Sequence, residues 1–311
     1  MPMKKRSQKP ILVTGAHRSG STWVGRMIAR SPEVGYIREP FNRHHRPGVC
    51  AARFDYWFTY ICDQNASIYH EDINDCINFR YQLFKELPAI ENVKDIARLS
   101  RDISCFFINR VLGKRPLLKD PIAVFSAPWL ADTFHMDVIV LLRHPAAFAG
   151  SLKKANWNYP FDHFLKQPLL MDQHLSSFAD QIEVMVSSNA DIIDQAILLW
   201  NIIHYMILKY KKNHPEWTFI RHEDISRNPL AGFSQIFERI DLSFSSDIRK
   251  QILDFSRQAA SNRMKYLGHI IRDSKSNVKS WLERLDEKEI NRIRTGTEHI
   301  ASAFYSDPDW A

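Results

Sequence analysis

The residues that first suggest chemistry lie in ILVTGAHRSGST, positions 11–22, where an apolar run leads into a glycine loop. Triphosphate-binding loops have the form GxxxxGK[ST], and the residues from Gly15 to Thr22 supply this pattern without its lysine. Backbone N–H groups of such a turn, and of the first turn of the next helix, bind anions without a lysine. The stretch therefore predicts an anion site in which Arg18 is the cation.

A second candidate site follows the strongest apolar strand, VIVLL at positions 138–142. Arg143 stands there, where a triphosphate site would place an aspartate that binds its metal. A guanidinium offers a planar fork to a phosphate, and Ser151, on the second turn of a helix begun by Pro145, can add a hydroxyl. Two anion sites and no metal site are predicted. Asp120, which also follows an apolar run, is the one residue that could contradict this.

These residues need elements that bring them to one edge of the molecule. Five apolar runs of strand length occur at positions 11–14, 34–37, 116–119, 138–142 and 217–220. Helical patterns lie between most of them, including a short helix at 22–30 and a long buried helix at 191–213. The alternation predicts a three-layer, P-loop-like α/β fold with a central, mainly parallel five-stranded sheet flanked by helices. Ligands bind at the carboxyl ends of such strands, where the glycine loop lies.

The chain is interpreted as one domain at residues 10–311, preceded by a flexible basic tail at residues 1–9. Region 41–113 is too long for a simple crossover and rich in helical patterns, so we expect a helical insertion near the site, on the acceptor side. Its aromatic residues could line a pocket or stack on a sugar, but their spacing favours a helix core. These residues are Phe54, Tyr56, Trp57, Phe58 and Tyr60.

Composition limits the classes of partner. A chain of 311 residues with 45% hydrophobic residues can bury a sizeable core, and a net charge of +7 fits a polyanionic nucleotide. The basic residues are scattered and no nucleic-acid-binding signature is visible, so no nucleic-acid partner is expected. No membrane span is expected, and the four cysteines form no CxxC pair. A cytoplasmic location is predicted, and the oligomeric state is not readable.

Four segments together resemble the sulfotransferases that use 3′-phosphoadenylyl sulfate (PAPS). TGAHRSGSTWVGRMI is similar to their 5′-phosphosulfate loop, and VIVLLRHPAAFAGSL is similar to their 3′-phosphate motif, with a serine eight residues after an arginine. WTFIRHEDISRNPLAGF resembles the strand and turn that flank the adenine, and NVKSWLERLDEKEINRI resembles the segment after the nucleotide-covering loop. The four segments occur in the expected order and span most of the chain.

The resemblance implies how the nucleotide is held. Arg18 would neutralise charge on the departing bridging oxygen, while Arg143 and Ser151 would bind the 3′-phosphate. The 5′-phosphate would receive backbone N–H groups from four loop residues, which are Ser19, Gly20, Ser21 and Thr22. His222 stands where the family commonly has an aromatic against adenine, and either stacks there or orders the turn with Glu223.

Two further basic positions follow from the resemblance. Lys275 and Lys279 fall where the family closes basic residues over the 3′-phosphate, although a solvated loop is the equal alternative because the spacing matches no fixed motif. Lys119, at a strand end near the ligand edge, is expected to face the sulfate.

The catalytic base is predicted to be Glu39. One branch of the family has a histidine two residues after a strand-end lysine, and Pro121 occupies that position here. Other branches use a glutamate after the second strand, and YIREPF places Glu39 there, with Pro40 expected to hold its backbone extended. Asp120 is the second choice, and the competing interpretation of Glu39 is a loop carboxylate paired with Arg38 or Arg43.

The resemblance and the residues agree on a PAPS-dependent sulfotransferase that releases 3′-phosphoadenosine 5′-phosphate (PAP). The acceptor group would be a hydroxyl, with an amine as the second choice, on a small molecule or carbohydrate. Two other functions remain open: an ATP-dependent kinase that would need magnesium at Asp120, and a non-catalytic nucleotide-binding protein.

Overall fold

Five strands run through a computed structural model of the chain, which describes residues 8–258 and 278–310. They are β1 (Ile11–Gly15), β2 (Val34–Arg38), β3 (Arg115–Lys119), β4 (Asp137–Leu142) and β5 (Thr218–Arg221). The α-helices are α1 (Ser21–Ile28), α2 (His70–Ile77), α3 (Leu83–Glu86), α4 (Val93–Val111), α5 (Ala127–Phe134), α6 (Pro145–Ala155), α7 (Asp162–Leu165), α8 (Pro168–Leu170), α9 (Ala179–Ser187), α10 (Ile192–Asn213), α11 (His222–Arg227), α12 (Pro229–Arg239), α13 (Ser246–Gln258) and α14 (Glu287–Ala301).

The strands form one parallel sheet in the order β2-β3-β1-β4-β5, flanked by helices. Leu117 of β3 is in register with Ile11 of β1 on one side and with Tyr36 of β2 on the other. The chain moves outward from β1 in one direction through β3 and β2, and in the other through β4 and β5. The loops after β1 and β4 therefore lie at the point where strand order reverses, which is where such sheets bind ligands. The predicted fold class is confirmed.

Each of the five strands lies within one residue of its predicted bounds. The agreement has a physical cause, because β1, β3 and β4 are covered on both faces and must be continuously apolar. Ile11, Leu12 and Val13 are fully buried, as are Leu117 and Leu118 in the neighbouring strand.

The two predicted helices are also present, with small shifts at their ends. The helix expected at 22–30 begins at Ser21 and ends at Ile28. The long helix α10 begins one residue later than expected, because the side chain of Asp191 accepts hydrogen bonds from the N–H groups of Ile193 and Asp194 and so caps it. By length and composition α10 could cross a membrane, but 61% of its most apolar window is buried inside the protein.

Contacts between Cα atoms divide the chain into two compact units. The first holds residues up to Gly15, together with Ser21–Ile139 and Ile240–Leu242. The second holds Ala16–Gly20, Val140–Arg239 and the residues from Ser243 onward. The region predicted as a helical insertion belongs to the first unit and contains α2, α3 and α4. Most of the predicted basic tail, residues 1–7, lies outside the described residues.

The first unit contains a buried arginine at the start of β3. Arg115 is 2% exposed, and its guanidinium donates to the carbonyl oxygens of Lys9 and Ile240 and to the carboxylate of Asp137. Burial lowers the pKa of Arg115, and the charge of Asp137 opposes that shift. One side chain therefore ties together the entry to β1, the start of β4 and the segment after α12.

Arg115→Ala should lower the free energy of unfolding by about 3 kcal/mol or more, because three acceptors lose one buried donor group at once. Urea unfolding followed by circular dichroism measures this change. The matched control is Arg53→Ala, since Arg53 pairs with Asp55 while its side chain stays 90% exposed; a change within about 0.5 kcal/mol is expected. Equal effects of the two substitutions would mean that the Arg115 contacts stabilise nothing.

Candidate active site

The loop between β1 and α1 adopts a backbone that few residues tolerate. Gly15, Arg18 and Gly20 have φ values of 129°, 64° and 85°, in the region that favours glycine. Arg18 holds this conformation as a non-glycine residue while its side chain is exposed. Because α1 begins at Ser21, the N–H groups of its first turn have no partner within the helix. The loop thus ends in the set of donors that the sequence predicted for an anion.

Arg18 is joined to the second motif by a hydrogen bond. Its Nε donates to Oγ of Ser151 over 2.9 Å, although the two residues are 133 positions apart in the sequence. Ser151 lies on α6, the helix that follows β4. The sequence predicted both residues as ligands but assigned them to opposite ends of the nucleotide. The structure brings the two predicted ligands into direct contact.

Arg143 is buried beside a carboxylate that satisfies it only in part. The residue is 7% exposed, and its Nε lies 3.6 Å from Oε1 of Glu223. Among the residues that the structure describes, that Nε has no hydrogen-bond partner. Burial lowers the pKa of Arg143, and the charge of Glu223 opposes the shift. A buried guanidinium with an unused donor is a group that an anion would stabilise.

Glu223 organises this part of the second unit. Besides Arg143, it accepts hydrogen bonds from the backbone N–H of His144 at 3.2 Å and from the hydroxyl of Tyr305 at 3.2 Å. Trp200 adds a fourth contact by donating from its indole N–H to the carbonyl oxygen of Arg143. The backbone and side chain at the end of β4 are therefore fixed by three different elements.

The ring of His222 packs against the glycine loop. A Cβ atom added at Gly20 would lie 2.4 Å from Nδ1 of His222, so the ring packs directly on the glycine. The ring also contacts the backbone of Ser19, and its Nε2 lies 3.2 Å from Oγ of Ser226. Burial, with the charge of Arg143, lowers the pKa of His222 well below its ordinary value. Of the two roles that the sequence left open, the contacts favour ordering of the loop and turn.

The predicted base lies in the first unit, where it forms an ion pair. Glu39 follows β2, and its Oε1 accepts from Nζ of the fully buried Lys119. Its Oε2 lies 3.4 Å from the side-chain amide of Asn42. Burial acts to raise the pKa of Glu39, but the charge of and hydrogen bond from Lys119, with help from Arg38, lower it below its usual range. Glu39 is therefore ionised and able to accept a proton.

The backbone of Glu39 differs from the prediction. Pro40 was expected to hold Glu39 extended, but Glu39 has a φ of 48° and is left-handed, so this expectation is wrong. The reason is the turn that follows β2, in which the N–H of Glu39 donates to the carbonyl of Lys119 and the N–H of Asn42 donates to the carbonyl of Glu39. This turn leaves the Glu39 side chain 24% exposed.

Asp120 is fully buried, and both of its carboxylate oxygens accept hydrogen bonds from the backbone. Its Oδ2 accepts from the N–H of Phe41 at 2.6 Å, and its Oδ1 accepts from the N–H of Ile122 at 3.1 Å. The second bond caps the short 3₁₀ helix Pro121–Ser126. Burial raises the pKa of Asp120 to about 7, although these hydrogen bonds oppose it. Because both of its oxygens accept backbone N–H groups, Asp120 stabilises the backbone at this point. The contacts therefore favour Glu39 as the base.

Lys119 is enclosed rather than exposed to solvent, and the expectation that it faces the sulfate stays a prediction. Its side chain is 0% exposed and packs against Gly25 of α1, where a Cβ atom would lie 2.7 Å from Cγ of the lysine. Burial lowers the pKa of Lys119, while the charge of Glu39 opposes the shift. The contact that the structure shows for its ammonium group is the carboxylate of Glu39.

Three other histidines that are buried in the second unit share a lowered pKa. His17 lies in the glycine loop against the rings of Phe148 and Trp157. Burial lowers the pKa of each of these three imidazoles to about 3, so they are neutral near pH 7. The three residues are His17, His144 and His204.

The structure describes all but one of the remaining predicted ligands. Ser19 and Ser21 are buried and Thr22 is exposed, so the glycine loop ends at the boundary between the core and the solvent. Lys279 is exposed, in the turn before Trp281, and its role towards the 3′-phosphate stays a prediction. Lys275 lies outside the described residues, so its role stays a prediction.

Sequence reasoning underrated Glu223 and missed Tyr305. Glu223 directly follows His222 at the carboxyl end of β5, so its position among strand ends was a usable signal for a partner of Arg143. Tyr305 gave no such signal, because its distance of 82 residues from Glu223 follows no periodic pattern.

The parallel sheet order, with a glycine loop after its first strand, defines the P-loop-like class of α/β proteins. The sequence profile described as the Sulfotransferase family matches residues 10–246, and the chain belongs to that family. The resemblance read from the motifs is therefore confirmed, and the chain is an enzyme of this transferase class.

Similarity to individual proteins is more limited. Carbohydrate sulfotransferase 1 from Danio rerio is 27% identical over 93 residues, which are 28% of this chain and only 22% of that protein. The sulfotransferase domain of the Synechococcus PCC 7002 olefin synthase has 14% identity and a TM-score of 0.50, with 98% of both chains covered, and this likeness concerns the fold. Mouse sulfotransferase SULT7A1 complexed with PAP has 13% identity and a TM-score of 0.44, over 98% of this chain and 88% of its own.

Gly20→Ala should destabilise the second unit more than a left-handed backbone alone explains. Strain at a positive φ costs about 1–2 kcal/mol, and contact with His222 should add at least about 1 kcal/mol. Gly113→Ala is the matched control, because Gly113 also has a positive φ of 56° but no described atom within 4 Å of the added Cβ. Urea unfolding of both variants gives the difference, and combining Gly20→Ala with His222→Ala should recover part of the loss. Equal losses at the two glycines would show that His222 does not support the loop.

Proposed function

We propose that this chain transfers the sulfuryl group of PAPS to a hydroxyl, or as second choice an amine, of a small-molecule or carbohydrate acceptor and releases PAP. The observation that carries the proposal is the 2.9 Å hydrogen bond from Arg18 to Ser151. It joins the phosphosulfate-type loop to the 3′-phosphate-type motif inside the second unit. A single nucleotide that carries a 3′-phosphate and a 5′-phosphosulfate fits such a pairing of motifs.

The 3′-phosphate is assigned to Arg143. Its guanidinium is buried, and its Nε has no hydrogen-bond partner among the described residues, which is the state expected of a site that an anion completes. Glu223 holds the guanidinium in place at 3.6 Å without saturating it. A phosphate can then accept the unused donor in a charge-assisted hydrogen bond.

The 5′-phosphosulfate is assigned to the glycine loop. N–H groups from Ser19 to Thr22 would hold the phosphate, since the first turn of α1 offers donors that the helix does not use. Arg18 would neutralise charge as the bond between sulfur and the bridging oxygen breaks. Ser151 would hold Arg18 in position by accepting its hydrogen bond, and its hydroxyl proton would remain to be donated to the 3′-phosphate, as the sequence predicts.

The proton of the acceptor is assigned to Glu39. As the new S–O bond forms, the acceptor loses its proton to the Glu39 carboxylate, and PAP departs with the electrons of the broken bond. Lys119 keeps Glu39 ionised, because its buried ammonium favours the negative carboxylate. A left-handed turn keeps part of the carboxylate exposed, which a proton acceptor requires.

The geometry of Asp120 argues against the kinase alternative. A magnesium site at that position would need carboxylate oxygens, and both oxygens of Asp120 already accept backbone N–H groups. Among the described residues, no group of three or more histidine, cysteine, aspartate or glutamate side chains could hold a metal ion. As the sequence predicts, we propose that protein groups carry the reaction, with no metal required.

The wider setting forms part of the same proposal. Residues 10–311 would act as one catalytic domain, with region 41–113 on the acceptor side. The partial match to a carbohydrate sulfotransferase supports carbohydrate as one of the acceptor classes. The four cysteines are free thiols, which supports a reducing cytoplasm, and we propose no nucleic-acid partner.

PAP should raise the melting temperature of the protein in the presence of EDTA as much as in its absence, because protein groups alone bind both phosphates. Arg143→Ala should weaken PAP binding by about 1.5–3 kcal/mol, the value of a charge-assisted contact. Binding of adenosine 5′-phosphosulfate, which lacks the 3′-phosphate, should change far less. Thermal shift and isothermal titration with both nucleotides measure these effects.

The control for this test is Arg221→Ala, since Arg221 lies over the ring of Tyr305 but its guanidinium is already paired with Asp224 and Asp309. Its loss should affect both nucleotides equally. Stabilisation by PAP that disappears with EDTA, or an Arg143 variant that loses both nucleotides alike, would contradict the assignment.

Glu39→Gln should reduce turnover at least about a hundredfold while PAP affinity stays near that of the unmodified protein, because the amide keeps the shape but cannot take a proton. The melting temperature should fall, since the buried ammonium of Lys119 loses its counter-charge. Sulfate transfer from isotope-labelled PAPS to an acceptor from an extract provides the assay. Asp120→Asn is the matched control and should mainly lower stability, by about 1–3 kcal/mol, since an amide nitrogen would face the N–H of Phe41 or Ile122. Near-normal turnover of Glu39→Gln together with a stable but inactive Asp120→Asn would move the base to Asp120.

A further inference from the structure

Helix α4 in the first unit is almost entirely uncovered. Two of its 19 residues, Asp95 and Phe106, are buried. Its large apolar side chains are exposed by half or more at both ends, and they are Val93, Ile96, Phe107, Ile108, Val111 and, just beyond the helix, Leu112. An exposed apolar stripe of this length, roughly 30 Å along the helix, marks an interaction surface.

The neighbouring helix α3 adds to the same kind of surface. Phe84 is 85% exposed and Leu87, directly after α3, is 47% exposed. Both helices turn their acidic side chains inward to one arginine, because Arg46 pairs with Glu86 of α3 and with Asp95 of α4. We call the outward apolar side chains of α3 and α4, from Phe84 to Leu112, the α3–α4 face.

The centre of this face can enter an apolar medium without losing hydrogen bonds. Between the two apolar ends of α4 lie Ser100 and Ser104, whose hydroxyls could be expected to need water. The hydroxyl of Ser100 donates to the carbonyl of Ile96 over 3.0 Å, and that of Ser104 donates to the carbonyl of Ser100 over 2.7 Å. Both donors are therefore satisfied within the helix, so removing water from them costs little.

The exposed charges around the face that no ion pair neutralises are mostly positive. Glu86 and Asp95 are buried, Arg98 pairs with Asp95, and Arg101 pairs with Asp102. Of the other exposed charges across positions 83–112, three are basic, at Lys85, Lys94 and Arg110, and one is acidic, at Glu91. The face is thus apolar and bordered mainly by cations.

We propose that the α3–α4 face binds the surface of an anionic lipid bilayer. Its helices would lie in the plane of the interface, with Phe84, Phe107 and Val111 inserted below the headgroups. The lysines and arginines at the borders would reach the anionic headgroups, since long basic side chains keep their charge at the interface while their stems cross apolar surface. This is peripheral binding and needs no membrane-spanning segment.

A second copy of the chain fits the same face less well. In a two-fold symmetric dimer the face would meet itself, so the exposed cations Lys94 and Arg110 would approach each other or their own copies. Like charges brought together at an apolar interface oppose association. An anionic bilayer complements the same cations. The proposal is independent of the sulfotransferase activity, because it rests on a face of the first unit that carries none of the residues assigned to the reaction.

Vesicle flotation with the full chain tests the proposal. Binding to phosphatidylcholine vesicles that contain roughly 30% phosphatidylserine should be at least about tenfold tighter than to phosphatidylcholine alone, and weaker in about 0.5 M salt. Phe107→Ser with Val111→Ser should lower the affinity about tenfold or more, because two side chains lose their apolar burial. Lys94→Gln with Arg110→Gln should do the same on anionic vesicles only.

The matched control is Val184→Ser on α9, which is 58% exposed, close to the 65% of Phe107 and Val111, but lies in the second unit. Its vesicle binding should equal that of the unmodified protein, and circular dichroism should show all variants folded. Absence of vesicle binding, equal affinity for neutral and anionic vesicles, or unchanged binding of the Phe107 and Val111 variant would each overturn the proposal. A dimer in light scattering that the same variant dissociates would assign the face to a second copy and overturn it too.

Discussion

The buried contact between Arg143 and Glu223 is the constraint on which the candidate anion site of the second unit depends. A guanidinium removed from water needs a counter-charge, and Glu223 supplies one at 3.6 Å. The same carboxylate also serves the backbone of His144 and the hydroxyl of Tyr305, so it is shared. The guanidinium is therefore held but not saturated. A close bidentate pair would have made a more complete salt bridge and a poorer anion site.

The first unit handles a buried cation in a different way. Lys119 is completely enclosed, and its ammonium is paired with Glu39, whose side chain remains partly exposed. The ammonium group of Lys119 has no access to solvent, whereas the Glu39 carboxylate is partly exposed and its Oε2 lies near the side-chain amide of Asn42. Asp120, next in the chain, is the reverse case, since both of its oxygens are used by backbone N–H groups. The ends of the adjacent strands β2 and β3 therefore carry two different carboxylates: Glu39 is accessible, and Asp120 is structural.

The sheet was predictable because its physics is local. Strands covered on both faces must be continuously apolar, and the runs that end at Thr14, Lys119 and Leu142 could be read from residue types alone. The positions of Arg18 and Arg143 followed from the same strands. What the sequence did not reveal were side-chain partners chosen by packing across long separations, such as Ser151 for Arg18. The left-handed turn at Glu39 was also hidden, because the hydrogen bond to Lys119 that fixes it comes from another strand.

The buried imidazoles give the second unit a dependence on protons. His17, His144 and His204 stay neutral in the folded protein down to about pH 3, whereas in an unfolded chain each would take up a proton near 6.5. Between these values the unfolded chain binds more protons, so the free energy of unfolding is full above 6.5 and falls as the pH drops towards 3. Each pKa unit between the two states is worth about 1.4 kcal/mol. Hydrogen ions therefore act as a ligand of the unfolded chain, and mild acidification lowers the stability of the unit to which the glycine loop belongs.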